Sequence, residues 1–180
     1  MNSLHGTKLS ALFGTWSPVP QLLCHQAAWW ACVLWMGWLG PAIMLVFLFV
    51  HMGAVRGEWR RELTLIAIST GVGVALDNTL AMTGAVTYVG GHLIGYCPLW
   101  LAAIWAGFGA TLRYSQKLFV QTRYHALATG FVGGPLAYLG GEKLERLTIH
   151  GLSGWLAVSV LWGAALLILY RCATPTERSA

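Results

Sequence analysis

Asp77 is the only aspartate among the 180 residues, and it stands inside Glu62 to Gly84, an apolar stretch long enough to cross a bilayer. An ionisable group there costs roughly 2.5–3.5 kcal/mol to insert, so it should face a protein interior or a wet cavity and have a partner. Two uses follow. With Tyr138, His92 or Glu142 beside it, the carboxyl can do acid–base chemistry or hold a cation, with Asn78 at the same depth. The alternative use is structural: Asp77 caps or hydrogen-bonds a neighbouring helix, for instance donating, if protonated, to the Phe131 carbonyl that Pro135 should release. The catalytic candidates are therefore Asp77, Tyr138 and His92.

At ~1.5 Å per residue, Asp77 lies roughly 22 Å along a helix that starts near Glu62, which places it in the outer half of the membrane. A second polar layer, His25, Gln26, His51, Ser69 and Thr70, falls in the inner half. His51 and Gln26 suit a lipid headgroup, or simple hydrogen bonds between helices. No two histidines share an i, i+3 or i+4 spacing, and Cys24, Cys32, Cys97 and Cys172 form no CxxC, so neither a metal nor another cofactor is expected. There is no GxSxG elbow, HExxH helix or phosphate-binding glycine loop. The tryptophans, among them Trp29 and Trp100, anchor at an interface or line a groove for an acyl chain, with Asn78 near its polar end.

The elements that must position these groups follow from composition. Hydrophobic residues make up 57% of the chain and charged residues 9%, far from the ~25% of a soluble domain. A net charge of +5 raises the question of nucleic acid, but the basic residues fall in short clusters between apolar runs, so no nucleic-acid partner is expected. The pattern predicts an all-α, polytopic bundle of about six transmembrane helices. Residues 1–20 form a short cytoplasmic segment without a signal-peptide core, 21–170 the six-helix transmembrane domain, and 171–180 a polar cytoplasmic tail.

The expected spans are Gln21 to Trp38, Gly40 to Val55, the Asp77 stretch, Pro98 to Leu112, Tyr124 to Gly140 and Leu152 to Tyr170, with Gly40-Pro41 as a tight turn. The fifth carries small residues at Gly130, Gly134, Ala137 and Gly141, which with Pro135 suit close packing or a hinge. Alternating the spans from a cytoplasmic N-terminus puts Lys8, Arg56, Arg60, Arg61, Arg113, Lys117, Arg123, Arg171 and Arg178 inside and only Lys143 and Arg146 outside. The positive-inside rule thus predicts N-in and C-in.

Gln26-x-x-Trp29, His51, the Asp77 span, Pro98-x-Trp100 to Trp105, Phe108-x-x-Thr111-Leu112-x-x-Ser115 and Gly133-Gly134-Pro135-Leu136-Ala137-Tyr138 together resemble a bacterial inner-membrane family known as domain of unknown function 2878. The resemblance covers nearly everything after residue 20. It implies a small multi-pass protein of the bacterial inner membrane with no assigned activity, in a gene setting associated with lipid modification.

Three readings of function stand. The first is lipid or fatty-acyl handling or modification within the bilayer around Asp77, with membrane lipids as partners. The second is a small proton- or cation-coupled transporter or channel subunit, which would need a homodimer to form a path. The third is a membrane scaffold for a lipid-modifying enzyme partner. No sequence feature assigns or denies an enzymatic activity.

Overall fold

The computed structural model describes residues 17–91, 93 and 95–174. The expected N-terminal segment up to residue 16 with its Lys8, the candidate His92, and Arg178 of the tail lie outside the described residues.

Six helices carry the fold: α1 (Pro18–Leu34), α2 (Leu39–Ala54), α3 (Trp59–Met82), α4 (Leu99–Thr111), α5 (Arg123–Lys143) and α6 (Gly151–Ala173). Prolines open α1, where a missing N–H costs nothing, and the Thr122 hydroxyl caps α5 by accepting from His125 N at 3.2 Å. The helical class is as expected, with one addition. The α3–α4 and α5–α6 connections each contain a three-residue strand, β1 (Val86–Tyr88) and β2 (Leu147–Ile149), paired antiparallel with Thr87 opposite Thr148. Two loops that read as separate are thereby one ribbon, closing one end of the bundle.

Two boundaries differ from expectation. Gly40-Pro41 is not a turn but the first turn of α2; the reversal comes earlier, at residues 35–38. Proline is tolerated there for the same reason as in α1, and a side chain on Gly40 would strike the backbone of Ala31, Cys32 and Trp35. The fourth apolar stretch forms a helix of only 13 residues, most of them buried, which at ~1.5 Å per residue is about 20 Å long. It behaves as a core helix surrounded by α1, α2 and α3.

Among the described helices, α3 and α6 are long and apolar enough to cross a membrane; α2 and α4 are apolar but shorter. Helix α6 packs along α5 and touches α3. Gly130 and Gly134 permit that pairing, since a side chain on either would collide with Trp162. Helix α5 runs unbroken through Pro135. It makes little contact with α1, and the gap between those two helices is floored by α4 and α6.

Candidate functional site

Three polar or hollow features lie along the bundle. The first is centred on Asp77, which has no solvent exposure. Its Oδ1 accepts from the hydroxyls of Tyr138 and, at 2.9 Å, Tyr88. Its Oδ2 accepts from Trp105 Nε1 at 2.8 Å and faces the Cys97 thiol at 3.9 Å. Burial, then the adjacent Asp77 charge, pushes the Tyr88 phenol well above its ordinary range, so this group remains a donor. Four donors from β1, the α3–α4 connection, α4 and α5 thus converge on one carboxyl of α3. It is used as an acceptor by Tyr138, Tyr88 and Trp105, while the Cys97 thiol is shared with Pro98 O at 3.7 Å. As built, this is a clasp between elements.

The second feature lies about 22 Å back along α3. Gln21, His51 and Glu62 are completely buried. Gln21 Nε2 donates to the Ala110 carbonyl at 3.0 Å and lies 3.3 Å from His51 Nδ1, while Gln21 Oε1 accepts from Ser115 N at 3.0 Å. His51 Nε2 is 3.3 Å from Glu62, which also pairs with Arg113; Arg113 reaches out to Glu58 at the surface. A chain of polar contacts therefore leads from α1 through α2 and α3 to the bundle end.

The third feature is a groove of about 470 Å³ between α1 and α5. Its walls are mainly apolar, with Trp29 and Trp30 on one side, Ala137 and Gly133 on the other, and Trp105 and Trp162 stacked at 4.5 Å between ring centroids in the floor. Two buried polar atoms in residues that line it, His25 Nε2 and Trp162 Nε1, have no hydrogen-bond partner. Buried polar atoms are nearly always paired, so these two are exceptions among the residues around the groove. The ribbon end is tied by Arg146, whose Nε donates to Val33 O at 2.8 Å.

The matched family model is described as protein of unknown function (DUF2878) and covers residues 18–168. The chain belongs to that family. Comparison with curated proteins and with solved structures gives no match.

In this DUF2878 chain the candidate residues separate into different places. Tyr138 does meet Asp77. Asn78 holds the α3–α4 connection, accepting from Tyr96 N at 2.6 Å, and Glu142 accepts from Ile149 N at 2.9 Å in the ribbon. Trp29 and Gln26 line the groove, Gln26 being exposed, whereas Trp100 is buried with its Nε1 on Val89 O at 2.9 Å. His51 belongs to the Gln21–Glu62 cluster. Asp77, Asn78 and Tyr138 are absent from the groove walls; Trp105 belongs to both clasp and groove, and Tyr138 meets the groove's Trp162 edge-on at 6.2 Å between ring centroids.

Of the small-residue stripe, Gly130 and Gly134 face α6, Ala137 faces the groove, and Gly141 meets Leu147 of β2. Sequence reasoning missed Tyr88, Cys97 and Trp105 as partners of Asp77, and Gln21 and Glu62 as partners of His51. One signal was available: Gln21, His25, Ala28 and Cys32 at i, i+4, i+7 and i+11 share a buried helix face, which puts Gln21 inside and Gln26 outside.

Proposed function

We propose that this protein is a multi-pass protein of the bacterial inner membrane that holds a lipid acyl chain in the groove between α1 and α5. The carrying observation is the groove itself. Its volume lies within the ~300–1,000 Å³ of small-molecule sites, and its lining is mainly aromatic and aliphatic. Immersion in lipid is supported by the outer faces of the helices: Leu45, Val46 and Phe49 of α2, Phe131 and Val132 of α5, and Leu156 and Val160 of α6 are all exposed. So wide an apolar surface calls for an apolar surrounding. The cationic side chains Arg60, Arg61, Arg113, Lys117, Arg123 and Arg171 gather at the end away from the ribbon, which supports the N-in, C-in orientation.

Ion or proton handling at Asp77 is the weaker reading. A carboxyl already engaged by Tyr138, Tyr88, Trp105 and Cys97 would have to surrender protein donors before it took a cation. In the lipid reading Asp77 instead fixes Trp105, and with it the groove floor.

The test is mass spectrometry of lipid retained by the protein extracted into detergent-free nanodiscs, wild type against Ala137→Trp. Ala137 lines the groove, so the indole obstructs it. The wild type should retain a lipid enriched over the surrounding bilayer, and the variant should lose it. Identical bulk lipid around both proteins would overturn the proposal.

A further inference from the structure

A second, smaller cavity of about 110 Å³ opens at the bundle end opposite the ribbon. That is several times the roughly 10–15 Å³ that one water needs, and so has room for a group of several atoms. Arg61, Arg113 and Lys117 line it, with Tyr170 and Thr174 of the α6 terminus. Gln116 and Leu166 line both this cavity and the groove, so the two spaces are neighbours across these two side chains. A cationic cavity thus adjoins an apolar groove, the shape and polarity of one amphipathic anion.

We propose that this cavity binds the phosphate headgroup of an anionic phospholipid whose chain lies in the groove. The inference rests on the groove holding a lipid and adds which lipid. The three cations are not equivalent. Arg113 faces two carboxylates, Glu58 and Glu62, so it contributes shape and no net positive charge. Arg61 gives Nη2 to the Ala173 carbonyl at 3.0 Å, covering the negative end of the α6 dipole, and keeps its other N–H groups for a phosphate. Lys117 is exposed and, on its short 3₁₀ turn (Ser115–Leu118), supplies a mobile ammonium. Tyr170 and Thr174 also line the cavity, with their hydroxyls donating to Gln121 O at 3.3 Å and Tyr170 O at 2.9 Å.

The experiment is native mass spectrometry of the full chain against phosphatidylglycerol and phosphatidylcholine of matched acyl chains. Each juxtamembrane cation is worth about fivefold in affinity for an anionic lipid, so Lys117→Gln should reduce the preference for phosphatidylglycerol about fivefold and Arg61→Gln/Lys117→Gln about thirtyfold. Retention of phosphatidylcholine, whose choline cation offsets its phosphate, should fall by less in both variants. Wild type that binds both lipids equally would overturn the headgroup assignment and leave the groove reading standing. If neither lipid is retained, both fail. Inorganic phosphate that displaces phosphatidylglycerol at millimolar concentration, and binds equally well to Ala137→Trp, would make the cavity a free-anion site and overturn the lipid assignment.

Discussion

Trp105 Nε1 donates to Asp77 Oδ2 at 2.8 Å while the same indole stacks on Trp162, so the buried carboxyl fixes the ring pair that floors the groove. An indole in an apolar cleft would otherwise keep several orientations, and one charge-assisted hydrogen bond selects among them. Asp77 matters to the groove without entering it.

Trp105→Phe keeps a ring in the floor and removes the donor. A hydrogen bond to a charged group is worth about 1.5–3 kcal/mol, so thermal unfolding in detergent should show a loss of that size. Asp77→Leu strands Tyr138, Tyr88 and Trp105 together and should cost more, with Asp77→Asn in between. Combining Trp105→Phe with Asp77→Leu should be clearly less than additive, because both remove the same bond. Full additivity would show that the contact carries no energy.

The floor ring is also packed from behind. A side chain on Gly73 would fall inside the Trp105 indole, whereas one on Gly71, two residues earlier on α3, meets nothing. Gly73→Ala should therefore destabilise by about 1–3 kcal/mol through overpacking. Gly71→Ala should be neutral or stabilising by up to about 1 kcal/mol, as expected for a helix interior. Thermal melts of the pair decide it: equal shifts would mean that α3 and α4 do not approach as closely as described.

Most helix positions and the burial of Asp77 against a partner were legible in the sequence because apolar runs and a lone acidic residue are local signals. The partners of Asp77 were not legible, since Tyr88 reaches it only because β1 pairs with β2 across 60 residues, and a three-residue strand leaves no periodicity to read. Gln26 lies deeper in the apolar run than Gln21 and is nevertheless the exposed one, because burial on a helix follows the face and not the depth. Glu62 looked like a helix start at the surface. It is buried because His51 and Arg113 both meet it, a convergence of three elements that no single stretch encodes.

Orientation has its own test. In a C24S/C172S background, a single cysteine at Lys117 should be blocked by a membrane-impermeant maleimide only after the inner face is opened, and one at Glu145 from outside in intact cells. Both positions are exposed, and the remaining native cysteines, Cys32 and Cys97, are buried. Labelling of both sites from one side would overturn the N-in, C-in arrangement.

The Gln21–His51–Glu62–Arg113 chain separates structure from ligand binding. Replacing Glu62 by Leu removes the acceptor that faces both His51 and Arg113 and leaves a buried imidazole and a half-buried guanidinium without it. Breaking a buried pair by removing one partner typically costs about 3–5 kcal/mol, so Glu62→Leu should unfold far more readily than wild type in a detergent melt. Gln21→Leu removes the donor to Ala110 O and the acceptor for Ser115 N, two neutral hydrogen bonds at the end of α4, and should cost about 1–3 kcal/mol. Because Gln21 and Glu62 are both absent from the groove walls, the folded fraction of Gln21→Leu should retain lipid as wild type does. Lipid lost from a folded Gln21→Leu protein would instead mean that the position of α1, set at this end by Gln21, governs the width of the groove.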